Sequence, residues 1–251
     1  MSVTVILNGY KRGYTLEEQF EAIKNQTYKN IQIILWANVI DNKIYKFPEN
    51  IVNQCNSIIS NTNYGTWGRF TAALNAKTKY IAIIDDDTIP GSMWIENCLN
   101  TIKTNDGVLT ARGIIFDEMF ESSYPSPQSY KPYGWCNPNS ETMRVDMGCQ
   151  SWFFEKNLLR AFWAEMPEVN PMNYGEDTHI SYVAQKYFGL YTYVPPHPED
   201  NKEMWGSNPI KALKYGEDSA ALSWSNDANM GMNKYWNYVR SNGYKILADE
   251  K

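Results

Sequence analysis

Apolar and polar positions alternate in blocks along the first third of the chain. Val3-Thr4-Val5-Ile6-Leu7 reads as a buried strand and runs into a turn-rich stretch, Asn8–Gly13, carrying Lys11 and Arg12. Leu16, Phe20, Ala22 and Ile23 then give a helix one apolar face, and Thr15 and Glu18 have capping-box spacing. A strand over Ile31–Trp36 closes on Ala37-Asn38. A short strand at Ser57–Ile59 follows, then a helix over about residues 66–76, then Ile81-Ala82-Ile83-Ile84. Strands alternating with helices predict an α/β fold with a parallel sheet and right-handed crossovers.

The pattern loosens further on. Ser92 is placed to cap a helix over roughly 92–104, and Val108–Ala111 and Ile114–Phe116 read as two strands. Residues 121–140 have no period and read as a long loop. Val145–Phe154 predicts a strand or hairpin, and Leu158–Trp163 a short helix. A helix starts at Gly175-Glu176-Asp177, with Ile180, Val183, Ala184 and Tyr187 on one side. Tyr191–Val194 is the last strand, and one more helix lies near 228–240. There is no internal repeat and no clear linker, which predicts one domain over 1–251.

The chemistry concentrates where the fourth apolar run ends, in Asp85-Asp86-Asp87-Thr88. Ligands of open α/β sheets bind at the carboxyl ends of strands. Three adjacent carboxylates repel one another unless a cation offsets them, and an all-oxygen donor set favours Mn²⁺ or Mg²⁺, which commonly shares its shell with substrate phosphates. The competing reading is a solvated acidic loop. The net charge of −5 and the lack of any basic run argue against a nucleic-acid partner. Cys55, Cys98, Cys136 and Cys149 make no CxxC pair and no zinc spacing, so reduced thiols and a cytoplasmic setting are expected. No leader and no membrane-spanning stretch is visible. With only His179 and His197 present, a mechanism needing several histidines is excluded.

The order of strand, basic turn, helix, strand ending in Asn, loop with Arg, strand, acidic triplet and a later Gly-Glu-Asp resembles the nucleotide-diphosphosugar transferases of the GT-A fold over about residues 3–195. Asp85-Asp86-Asp87-Thr88 resembles their DxD motif, most like the exostosin-like form, with the broad family 2 transferases also similar. The resemblance implies a GT-A three-layer sandwich with a mostly parallel central sheet. It divides into a nucleotide-binding half (1–105), an acceptor half (106–195) and a C-terminal extension (196–251). It implies transfer of a hexose from a UDP-sugar donor to a carbohydrate, glycoprotein or other hydroxyl acceptor.

Carried over by position, Arg12 would reach the nucleotide or diphosphate and Asn38 the uracil–ribose part. Asn63 and Arg69 match residues upstream of the DxD strand. Asp85 would bind ribose or lock Arg69, Asp86 would touch the donor sugar, and Asp87 would hold the metal. His197 sits where some GT-A enzymes place a metal-binding histidine. Arginine's planar fork suits phosphate, and the asparagine amide offers the donor and acceptor that a uracil edge requires.

Tyr-Gly-Glu-Asp occurs twice, at 174–177 and 215–218. The first copy fits the family's acidic motif, so Asp177, with Glu176 second, is the candidate for work on the acceptor proton or the anomeric centre. The competing reading of both acids is dipole compensation at a helix start. Trp135, Trp152, Phe153, Phe154, Trp163 and Trp205 are read mostly as core, with sugar stacking the alternative. Arg112 and Arg144 are candidates for the pyrophosphate or acceptor. Two other classes compete. One is a haloacid-dehalogenase-type phosphatase with Asp85 as nucleophile, though Ile89 stands where that motif has Thr or Val. The other is a non-catalytic sugar-nucleotide-binding protein.

Overall fold

The computed structural model describes residues 2–10, 12–38, 47–116, 130–165, 174–216 and 226–250. Its strands are β1 (Val3–Gly9), β2 (Ile31–Asn38), β3 (Asn56–Ser60), β4 (Tyr80–Ile84), β5 (Gly107–Phe116), β6 (Tyr130–Gly134), β7 (Met143–Val145), β8 (Met147–Glu155) and β9 (Tyr191–Val194). They form a sheet in the order β3-β2-β1-β4-β8-β5-β9-β7, with β6 on β5 beyond the end of β9. β1 to β4 are mutually parallel, and β5 and β9 share their direction. β8, inserted antiparallel between β4 and β5, joins the two halves of the sheet.

Alternation along the strands decides the layers. Ile81 and Ile83 face one way with Ile6, Ile34, Trp36, Trp152 and Phe154. This face is covered by α3 (Gly68–Ala73), α5 (Leu159–Ala164), α6 (Glu176–Phe188) and α8 (Asn226–Ser241). Tyr80, Ala82 and Ile84 face the other way with Val5, Leu7, Leu35 and Phe153, under α1 (Leu16–Lys24), α2 (Glu49–Val52) and α4 (Trp94–Thr101). The expected three-layer sandwich is present. Trp152, Phe153, Phe154 and Trp205 are buried, as their core reading requires.

Several local expectations are corrected. Val108–Ala111 and Ile114–Phe116 are one strand, β5, interrupted only by an irregular pairing between Thr110 and Arg112. Polar Arg112 and small Gly113 hide that continuity in the sequence. Part of the expected 121–140 loop is β6, and residues 117–129 lie outside the described ones. Thr15 makes no capping box. Its hydroxyl donates to the carbonyls of Arg12 (2.8 Å) and Asp86 (2.6 Å), fastening α1 to the acidic loop. Ser92 does not cap α4, whose N-cap is Met93. α7 (Pro209–Gly216) has no counterpart in the sequence reading.

The tail is not peripheral. Tyr235, Trp236 and Val239 of α8 lie in the same core as α6. At the start of α6, Gly175 has φ +90°, and a Cβ there would meet the Tyr235 ring at 2.5 Å, so both the backbone and the close approach require glycine. His179 is buried against Tyr235 and Phe162, bonding the hydroxyl of one and the carbonyl of the other.

Glu165, at the end of α5, is held by Lys186 (2.8 Å) and by the hydroxyls of Tyr187 (2.6 Å), Tyr238 (2.9 Å) and Tyr182. Burial works against its charge, but these donors prevail and pull its carboxyl down to about 2. A carboxyl depressed in the fold adds stability above its unfolded value near ~4.3, and that contribution is lost as pH falls toward 2. Glu165→Gln is therefore expected to cost about 2 kcal/mol at neutral pH. It should also flatten the acid limb between about pH 4.3 and 2. Urea midpoints across pH measure both.

Candidate active site

The functional residues gather at the carboxyl ends of β1, β2 and β4. β4 delivers the triplet there, and the Asp85 N–H donates to the Gln150 carbonyl of β8 at 3.0 Å, stopping the strand. A turn closes from the Thr88 N–H to the Asp85 carbonyl at 3.1 Å. Gln19 of α1 donates its side-chain amide to the carbonyls of Asp85 and Thr88 (3.0 Å), bracing the loop from below.

Two buried guanidiniums divide the acids. Arg12 donates to Asp86 at 2.7 Å and, more loosely, to Asp87 at 3.5 Å. Arg69 of α3 bridges Asp85 and Glu176, the latter at 2.7 Å, and lies 4.7 Å from the Trp152 ring. Burial disfavours the Arg69 charge, but Asp85 and Glu176 outweigh it, and its pKa rises. Burial is also the main cause that raises Asp85, Asp86 and Asp87; the like charges of the triplet add to it for Asp85 and Asp86, while the two arginines oppose the rise. With Glu176, the triplet sets four carboxyls against the two guanidiniums that pair with them among the described residues.

Asp177, on the first turn of α6, is partly exposed and its carboxylate carries no hydrogen bond among the described residues. Burial, then Glu176 and Asp85, hold its pKa well above the carboxylate range, against the pull of Arg69 and Arg112. It is a free carboxylate of raised basicity beside the triplet.

Glu176 is different. Arg69 occupies one of its oxygens and the Thr66 hydroxyl, at 2.7 Å, the other, so it braces Arg69. Asn38 is likewise spent internally. Its amide donates to Asn63 (2.8 Å) and its carbonyl accepts the Tyr64 N–H (3.1 Å), so it shapes the 63–65 turn. Asn63 is exposed and reaches the Tyr10 hydroxyl at 3.1 Å, which places that pair at the rim. Asp85 locks Arg69, one of its two expected roles, while Asp86 is engaged by Arg12.

His197 is corrected. It is fully buried, with Nδ1 on the Pro195 carbonyl (2.8 Å) and Nε2 accepting the Gly206 N–H (3.0 Å). With burial lowering it to about 4, the ring is neutral and has no lone pair left for a metal. Arg144 also lies elsewhere: it pairs with Glu250 at the C-terminal turn and covers Tyr191. In the second Tyr-Gly-Glu-Asp, Glu217 and Asp218 lie outside the described residues. Thr15, Gln19, Thr66 and Gln150 carry no motif. Only Thr15 stood out in the sequence, and for a different role.

Residues 4–159 match the sequence profile described as glycosyl transferase family 2. The chain belongs to glycosyl transferase family 2. The match covers Arg12, Asn38 and the triplet, and it stops before α6. Membership displaces the phosphatase reading, as does the geometry, since Asp85 is tied to Arg69 and not free as a nucleophile. No curated protein sequence matches the chain. Among solved structures, the fold is similar to S. aureus TarS at 17% identity and TM-score 0.51, covering 78% of this chain and 37% of that one. A form of TarS spanning residues 1–349 aligns at 16% identity and TM-score 0.50, covering 100% of this chain and 77% of that one. The same form solved in complex with UDP aligns at 14% identity, TM-score 0.50 and the same coverage. At these identities the likeness is one of fold, and the chain spans about a third of the longer TarS chain. Among the described residues no helix of this family 2 protein is long and apolar enough to cross a membrane.

Proposed function

We propose that this family 2 chain is a metal-dependent transferase that moves a hexose from a UDP-sugar to a hydroxyl acceptor. The observation that carries the proposal is the Asp177 carboxylate, without a hydrogen bond among the described residues, next to Glu176, whose Arg69 also holds an acidic triplet of which Asp87 is only loosely paired. The UDP complex of TarS supports UDP as the nucleotide through likeness of fold.

Among the described residues no three acidic, histidine or cysteine side chains converge into a closed metal cage. The donor set nonetheless fits a hard divalent cation. Asp87 has the most exposed side chain of the triplet, at 26%, and its partners are distant: Arg12 at 3.5 Å and Thr88 at 3.4 Å. Asp87 would hold Mn²⁺ or Mg²⁺, with donor phosphates completing the shell. Bound there, the cation offsets charge on the departing diphosphate.

Asp177 takes the proton of the acceptor hydroxyl. The oxygen forms its bond to the anomeric carbon as the bond to the β-phosphate oxygen breaks, and UDP leaves with that electron pair. A base acting directly on the acceptor fits a single displacement with inversion, and nuclear magnetic resonance of the fresh product's anomeric proton tests it. The acceptor side falls to the part of the chain beyond the β4 loop, and a carbohydrate or glycoprotein hydroxyl is the proposed class.

Thermal shift with UDP and Mn²⁺ tests the donor side, since a ligand that binds only the fold must raise the melting temperature. Asp87→Ala is expected to remove the part of that shift that depends on Mn²⁺. An undiminished Mn²⁺ increment in that variant would take Asp87 out of the metal shell.

A further inference from the structure

β8 contains an irregularity that neither strand pairing nor the acidic motif explains. Along β5 and β8 the register runs Thr110 to Trp152 and then Arg112 to Cys149, so Gln150 and Ser151 together face Ala111. This is a β-bulge, of the kind that re-aims side chains beside active sites. Gln150 adopts φ +70°, a left-handed conformation that in such bulges belongs to glycine. Its carbonyl accepts from the Asp85 N–H at 3.0 Å and from the Thr88 hydroxyl at 3.2 Å, so the strained residue is fixed to both ends of the acidic loop. Its side-chain oxygen is buried and has no hydrogen-bond partner among the described residues.

Fold stability accounts for none of this. A glycine would keep both carbonyl bonds, relieve the backbone and leave no buried amide oxygen unpaired. A buried acceptor without a donor disfavours the empty state and is relieved when a ligand supplies an O–H or N–H. Strain held at a side chain fastened to a ligand-binding loop is characteristic of positions that preorganise binding.

Resting on the transferase reading above, we infer that Gln150 is a specificity-determining residue whose amide oxygen accepts a hydrogen bond from a hydroxyl or amide N–H of the transferred sugar. The nucleotide does not need it. The donor sugar is favoured over the acceptor because Gln150 is anchored to the triplet loop, whereas Asp177 lies on α6.

The test compares UDP, UDP-glucose and UDP-N-acetylglucosamine by calorimetry, each with Mn²⁺, on the wild-type protein and on Gln150→Gly and Gln150→Leu. Gln150→Gly is expected to melt no lower than wild type. It should bind UDP as wild type does and lose about tenfold in affinity for whichever sugar nucleotide the wild type prefers. Gln150→Leu, which keeps the bulk without the oxygen, should lose the same sugar increment. Equal affinities of wild type and both variants for every sugar nucleotide would overturn the inference while leaving the transferase reading intact. A parallel loss of UDP affinity would also overturn it, by making Gln150 a support of the loop. An unchanged donor affinity with a raised acceptor KM would assign the residue to the acceptor and overturn it too. A wild-type protein that binds none of the three ligands would instead remove the transferase reading, and this inference with it.

Discussion

Asp177→Asn is expected to abolish transfer while making the protein more stable, not less. The carboxyl is raised in the fold by burial and by Glu176 and Asp85. A carboxyl raised in this way binds its proton more tightly folded than unfolded, so it costs stability as pH rises past its unfolded value. The neutral amide removes that cost at pH 7. Turnover should move the other way, because asparagine cannot accept the acceptor's proton. A loss of roughly a hundredfold to ten-thousandfold in kcat is expected, with UDP affinity unchanged. The wild-type rate should fall on the acid side at a pH above the ordinary carboxylate range, and that limb should be missing from the variant's residual rate. A variant that turns over normally would return Asp177 to the role of a helix-start acid.

Arg69→Met should produce the largest loss of stability. Arg69 is 5% exposed and is the shared partner of Asp85 and Glu176. Methionine fills similar volume but leaves the buried Glu176 and the half-buried Asp85 without their shared cation. Removing one partner of a buried ion pair costs about 3–5 kcal/mol, far more than an exposed pair is worth. Adding Asp85→Asn and Glu176→Gln to Arg69→Met should recover most of the loss, since the penalty comes from the uncompensated charges. Urea unfolding of the single and triple variants measures it. If the triple variant is as unstable as the single, packing against Trp152 carries the cost instead.

The donor half of the fold was legible because local signals there agree. β1, β2 and β4 are continuous apolar runs, α1 has one apolar face, and the acids follow β4 at once. The pairing of Arg69 with Asp85, sixteen residues apart, was one of two roles that the family resemblance implied for Asp85. How the other candidate side chains are engaged depends on partners that their own motifs do not announce. His197 looks available in sequence, yet its ring is sealed by Pro195 and Gly206. Glu176 and Asp177 look equivalent, and Thr66 and Arg69, 110 and 107 residues earlier, set them apart. Asn38 invites a nucleobase until the turn at 63–65 uses its amide. Gln150 sits in a run that reads as plain strand, since no residue type announces a left-handed glutamine.

The family profile ends at residue 159, on α5, whereas Asp177, the proposed base, lies on the first turn of α6, which is backed by α8 through Gly175 and Tyr235. The matched portion therefore holds the triplet with Arg12 and Arg69, and under the proposed function the base comes from chain that the profile does not constrain. For redesign this sets a boundary. A graft meant to change the acceptor should carry α6 and α8 as one cassette, because α6 alone would lose the ring that seats its first turn.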